Sequence, residues 1–187
     1  MNAQLVKDLQ ALNWQTIIDF GNSLTDLDDA QWRFLKGLVV ELTLETYSDI
    51  QYVGEVHRDF VWKRHTVDLE LKSQLSLSMY TSKQKKLCKT FNLTFNNSYG
   101  TNEAKTLDAK NVADVLIVVR NDGAFAIDKK TVLTHCVKKG DGWVLKIPST
   151  KITNLTERIE QKIKYQNTIK QDVIALIKQA IPKVSKH

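Results

Sequence analysis

Along residues 67–79 apolar and polar side chains alternate almost without a break. Val67, Leu69, Leu71, Leu75, Leu77 and Met79 fall on one side, and Asp68, Glu70, Lys72, Gln74, Ser76 and Ser78 on the other. A period of two marks a strand with one apolar and one polar face and does not fit a helix. The pattern begins upstream near residue 50 and is interrupted by the polar run Lys63-Arg64-His65-Thr66, so the spacing predicts a hairpin. On its first arm Glu55, His57 and Asp59 share a face by the same rule. Closing the hairpin at the polar run brings Asp59 towards Glu70 across the ladder.

The rest of the chain is arranged around that sheet. Residues 3–20 read as a helix, and after Gly21-Asn22-Ser23 a second helix is expected from Thr25 or Asp26, with Trp32, Leu35, Val39 and Leu42 on its buried face. A second hairpin is predicted over 115–119 and 124–127, turning at Arg120-Asn121-Asp122-Gly123, and a further strand over 143–147. Asn154 with Glu157 resembles a capping box, and Leu155, Ile159, Ile163, Ile169, Val173 and Leu176 follow an amphipathic helix towards Pro182. The expected fold class is α/β, in the α+β sense of helices flanking a largely antiparallel or mixed sheet. The 187 residues carry no linker or repeat and are read as one domain, with a helical part over 1–48, a sheet core over 49–150 and a C-terminal helix over 151–187.

Charge is divided unevenly. Residues 1–62 hold four bases against ten acids, net −6, and residues 63–187 carry net +12. Such a basic stretch suits a polyanion, because Lys and Arg that neutralise phosphates release counterions. No apolar run nears the ~20 residues of a membrane span, and residues 1–20 lack the features of a secretory signal, so a soluble cytoplasmic protein is expected. Cys88 and Cys136 stand apart, without the clustering of a disulfide framework or a zinc site.

Two carboxylates converging beside a lysine suit Mg²⁺-dependent phosphodiester hydrolysis. The carboxylates offer hard oxygen ligands, and the ammonium stabilises developing charge. Acid-x-Lys is a common triplet, and five are present, at Glu70, Glu103, Asp108, Asp128 and Glu160, against roughly 2.4 by chance. Glu70-Leu71-Lys72 ranks first because it lies in long alternation with acids upstream. Asp128-Lys129-Lys130, preceded by Asp114, ranks second. The plain alternative is a surface hairpin whose Asp68, Glu70 and Lys72 merely solvate one sheet face.

The hairpin resembles the active-site region of the PD-(D/E)xK nucleases, and most closely the type II restriction endonucleases of the PvuII kind. Asp59 followed by Glu70-Leu71-Lys72-Ser73 is similar to that pattern over about residues 50–80, although Arg58 stands where the family often has proline. The resemblance implies a restriction-endonuclease-like core and Mg²⁺ as cofactor. It implies Asp59 and Glu70 as metal ligands, the Leu71 carbonyl as a further ligand, and Lys72 as the catalytic lysine. The function expected on this basis is that of a type II restriction endonuclease acting on double-stranded DNA as a homodimer, with the acidic N-terminal helices at the dimer contact. A structure-directed repair or recombination nuclease, and a non-catalytic nucleic-acid-binding module, are the alternatives.

Further residues are assigned by type and position. Glu55 is a candidate third active-site acid and metal ligand. Glu41 and Glu45, an i, i+4 pair, are read as solvent-facing in preference to supporting a metal site. His57 and His65 flank the hairpin, and an exposed histidine usually has no catalytic role. Lys83, Lys85, Lys86 and Lys89 are candidates for DNA-backbone contacts. Asn96, Asn97, Ser98, Tyr99 and Asn102 form a candidate base-reading loop. Trp14, Trp32 and Trp143 are read as core or interface residues, and Trp62 as facing core or substrate.

Overall fold

The computed structural model describes residues 1–22, 33–55, 58–74, 90–95, 107–120, 123–140, 142–156 and 175. Three helices come first: α1 (Ala3–Gln10), α2 (Trp14–Asn22) and α3 (Arg33–Thr46). The single helix expected over 3–20 is two. Asn2 starts α1 by accepting the N–H groups of Gln4 and Leu5, and Asn13 restarts the chain by accepting that of Thr16. An asparagine at such a point satisfies free helix-start donors, and this outweighs the continuing apolar period. In α3, Val39 and Leu42 are buried as expected, while Trp32 and the predicted start of this helix lie outside the described residues.

The hairpin arms are β2 (Arg58–Trp62) and β3 (Val67–Gln74), preceded by β1 (Gln51–Glu55). After β4 (Thr90–Phe95) come β5 (Val115–Arg120) and β6 (Gly123–Asp128), the second hairpin as predicted. A short helix, α4 (Lys129–His135), leads to β7 (Cys136–Lys139), β8 (Gly142–Pro148) and β9 (Thr153–Asn154). The strands form a six-stranded sheet in the order β1-β2-β3-β5-β6-β9 and a three-stranded sheet in the order β4-β8-β7. The larger sheet is mixed, because β3 and β5 run parallel, with Leu69 beside Val115 and Lys72 beside Val118. Parallel neighbours need a long crossover. The chain between β3 and β5 supplies one and places β4 in the other sheet on the way.

Each face of the larger sheet has its own core. On one face Leu9, Trp14, Ile17, Ile18, Val40 and Leu44 of the helices pack on Phe60, Trp62, Leu69, Leu71 and Ile117. On the other, Leu116, Val118, Phe125 and Ile127 meet Trp143, Leu145 and Ile147 of the smaller sheet and Val132 of α4. Each fully buried aliphatic or aromatic side chain contributes on the order of 1.5–3 kcal/mol. Trp62 is fully buried and donates its ring N–H to Asp49 (2.9 Å), so it belongs to the core and not to substrate.

The chain's last described stretch departs from expectation. Asn154 pairs with Phe125 in β9, and the Leu155 N–H continues that edge by donating to the Ala124 carbonyl (2.9 Å). Glu157 lies outside the described residues, and of the helix predicted beyond it Ala175 alone is described and is helical. Cys136 is a free thiol, and burial pushes it up to about 11, where it stays protonated. Among the described residues no helix is long and apolar enough to cross a membrane.

Candidate active site

The turn at Lys63-Arg64-His65-Thr66 sets the site, because it fixes the register of β2 on β3. His65 and Thr66 donate their N–H groups to the carbonyls of Trp62 and Lys63, and Thr66 takes the left-handed conformation with φ 53°. Side chains clamp the turn to the helical layer: His65 Nε2 lies 2.8 Å from Asp8, and Arg64 lies 2.7 Å from Asp49. His65 also packs edge-on against Trp62, so its role is in the turn. His57 lies outside the described residues.

With this turn, Phe60 pairs with Leu69 and Trp62 with Val67. One step further along the register sets Asp59 opposite Glu70, as the spacing predicts. Asp59 Oδ2 accepts the Leu71 N–H at 2.7 Å. Glu70 and Lys72 sit beside Leu116 and Val118 of β5, and paired strand neighbours share a face, so both lie on the side of the sheet that carries the second core. Glu70 is only 4% exposed, and the polar face expected of β3 is therefore enclosed at this position. The Lys72 ammonium contacts Glu70 Oε1, while Glu70 Oε2 is buried without a hydrogen-bond partner.

Glu41 of α3 joins this group, against the reading of a solvent-facing pair. Its carboxyl is largely withdrawn from water and is pushed up to about 8, first by that burial and then by the charge of Asp59, with Lys72 and a hydrogen bond from Tyr52 opposing. Asp59 is raised to about 6 by burial and by the Glu70 charge, against the Leu71 N–H and Lys72. Glu45, one turn from Glu41, accepts the Tyr52 N–H at 3.2 Å. A sequence signal for Glu41 exists: it is the one charged residue in Leu38-Val39-Val40-Glu41-Leu42-Thr43-Leu44, a helical stretch too apolar to leave it outside.

Glu55 is not brought to this cluster. The β1–β2 register shifts between Tyr52 and Glu55, and Glu55 turns outward to pair with Arg58 at 2.8 Å, which holds its carboxyl below the usual range. Arg58 reaches Asp68 as well, at 2.9 Å. Lys83, Lys85, Lys86, Lys89, Asn96, Asn97, Ser98, Tyr99 and Asn102 all lie outside the described residues.

The second-ranked triplet has a structural task. Asp128 is the N-cap of α4: burial pushes its carboxyl up, but the Thr131 N–H and hydroxyl, each at 2.9 Å, outweigh this and hold it low. Asp114 accepts the Asp68 N–H at 3.1 Å. Both acids border a cavity of about 310 Å³ that His65, Lys129 and Lys130 also line. Asp128→Ala is expected to cost about 1 kcal/mol of stability through the lost cap, read as a lower melting temperature, and to leave any catalytic activity in place.

Among the described residues no three His, Cys, Asp or Glu side chains close into a metal cage. A cage is not what Mg²⁺ requires, since it keeps several waters and takes one or two carboxylates together with substrate phosphate. Glu70 Oε2, buried and without a donor, and the adjacent Asp59 fit that demand. No family model, no curated protein and no solved structure matches this chain.

Proposed function

We propose that the protein is a Mg²⁺-dependent endodeoxyribonuclease, of the type II restriction kind that its active-site hairpin resembles. The observation that carries this reading is the burial of Glu70 beside a half-buried Asp59, with Lys72 against Glu70. Gathering acids away from water costs free energy and gives the fold nothing that apolar residues would not give better, whereas a cation site needs them. A surface ladder would leave these groups solvated, so enclosure speaks against the plain alternative.

In this reading Asp59 and Glu70 hold the cation, with the Leu71 carbonyl as a further ligand. Bound Mg²⁺ would polarise the scissile phosphate and lower the pKa of the attacking water. Lys72 contributes a positive charge beside the reacting phosphate and neutralises Glu70 until the cation arrives. Glu41 presents a hydrogen-bond acceptor from the helical side.

Double-stranded DNA as substrate is supported by charge. Between residues 129 and 151 the sequence has six lysines against the single acid Asp141. Lys139 and Lys146 are exposed on the smaller sheet, while Trp143, Leu145 and Ile147 face inward. Replacing both lysines by alanine is expected to reduce the slope of log affinity against log salt by about 1–2, as lost phosphate contacts do. An unchanged slope removes this sheet from the interface.

A homodimer follows from the chemistry proposed, because one site cuts one strand and a two-fold assembly matches a palindromic duplex. The test is incubation of plasmid with and without Mg²⁺, with sedimentation to count chains. Discrete fragments from a two-chain particle support the restriction reading. Cleavage confined to branched or damaged duplexes favours a structure-directed repair nuclease. Retardation of DNA with no cutting favours a binding module.

A further inference from the structure

The β7–β8 hairpin returns the chain to the end of α4. Cys136 pairs with Leu145, so β8, running on to Pro148, carries the 3₁₀ turn Ser149–Lys151 back past His135. There the exposed Lys151 ammonium meets His135 Nε2 at 3.1 Å. An ammonium has only donors, so in this contact Nε2 accepts and carries no proton of its own.

Two basic side chains that touch each other lack the partner that basic side chains ordinarily have. The acids at the start of α4 are engaged elsewhere: Asp128 accepts from Thr131, and Asp114 accepts the Asp68 N–H. Among the described residues no ion pair includes His135, Lys151 or Lys130, the last of which is exposed at the other end of α4. A hydrated ammonium gains little from a neutral imidazole, whereas a bond from an ammonium to an anionic phosphate oxygen is roughly twice as strong as one between neutral groups. The contact therefore holds the Lys151 charge at a set place on the surface without neutralising it.

That place is on the side of the active site. Val132 of α4 packs with Leu116 and Val118, the β5 neighbours of Glu70 and Lys72, so α4 covers the face of the larger sheet on which those two residues lie. A duplex presents many phosphates besides the one being cut, and cations along the same face are placed to meet them.

We propose that Lys151, steadied by His135, and Lys130 at the other end of α4 contact the phosphate backbone of double-stranded DNA outside the cleavage site. The inference rests on the nuclease reading above and deepens it, by naming a surface that grips the duplex without entering the reaction. Lys151 and Lys130 supply the charge. His135 acts through Lys151 and is a positioning residue.

The test is fluorescence anisotropy of a labelled duplex titrated with the full chain, without Mg²⁺ and over a series of salt concentrations, alongside melting temperatures and plasmid cleavage with Mg²⁺. Lys151→Ala and Lys130→Ala are each expected to lower the slope of log affinity against log salt by about 0.9, the value of one phosphate contact. Lys7→Ala, exposed on α1 against the opposite face of the sheet, is expected to leave the slope as it is. His135→Leu is expected to weaken binding about twofold to threefold by freeing the lysine, and His135→Gln to recover most of that loss, because its amide oxygen accepts in place of Nε2. His135→Leu combined with Lys151→Ala should bind no more weakly than Lys151→Ala alone. All of these surface variants should melt close to the parent.

A parental slope in Lys151→Ala overturns the pair, and parental slopes in both lysine variants overturn the whole surface. An equal fall in Lys7→Ala shows diffuse charge in place of a defined contact and overturns it too. Additive losses in the combined variant overturn the role given to His135. Slopes that fall as expected in a protein that cuts nothing with Mg²⁺ support this surface and sink the nuclease reading, whereas a parent that binds no duplex overturns both.

Discussion

Asp59→Asn, Glu70→Gln and Lys72→Met are each expected to reduce Mg²⁺-dependent cleavage by at least about a hundredfold, the usual scale for removing one preorganised electrostatic group from an active site. Their effects on stability should differ in sign. Asp59 and Glu70 raise one another's free energy in the absence of a cation, and Glu70 Oε2 has no donor to replace the water it lost. Neutralising either acid should leave the metal-free protein as stable as before, or more so. Lys72 offsets these acids, and its removal leaves Glu70 buried and uncompensated. Since the lysine is about a third exposed, the cost is discounted to about 1–2 kcal/mol. Steady-state cleavage assays and chemical denaturation separate the two effects. Full activity in Glu70→Gln together with loss in Asp128→Ala would move the active site to the other hairpin.

The part of this site that was legible beforehand is the part written in local pattern. Period two over 58–62 and 67–74, with a four-residue polar break between, fixes both the strands and their register, and a register places Asp59 against Glu70 with no further information. The alternation alone does not decide whether the polar face is open to solvent, as the plain alternative has it, or covered, as it is at Glu70. Whether a strand face is covered depends on what pairs beside it and packs over it, and β5 reaches β3 from more than forty residues away. The same distance hid the parallel pairing that makes the sheet mixed. Glu41 was missed for a different reason: the i, i+4 spacing to Glu45 was weighed, and the apolar residues on both sides of it were not. Asp128 was legible as a cap, since Thr131 stands three positions on with a hydroxyl and an N–H to offer, but the acid-x-Lys match drew the reading towards chemistry.

Without a cation, the protein is expected to lose stability as pH rises through neutrality, and Glu41→Gln to remove much of that loss. The sign follows from where the proton sits. Glu41 has an ordinary value of 4.5 and is raised to about 8 in the folded chain, so between these limits the folded state keeps a proton that the unfolded state has released. Stability then falls with pH across that window, because the native state binds more protons. Asp59 adds a smaller decline lower down, between 3.8 and about 6. At 1.36 kcal/mol per unit the Glu41 shift corresponds to a ceiling of about 5 kcal/mol, and mutual relaxation of the three acids brings the expected loss to about 2–3 kcal/mol. Glutamine keeps the size of the side chain but cannot ionise, so its variant should be the more stable protein at pH 8–9 and close to the parent at pH 5. Saturating Mg²⁺ should shrink the parent's decline, since a cation favours the ionised carboxylates it binds. Urea melts at pH 5, 7 and 9, with and without Mg²⁺, read all of these differences. A parent whose metal-free stability is level or rises from pH 6 to 8 would show that Glu41 ionises as an ordinary surface acid and is not enclosed among Asp59, Glu70 and Lys72.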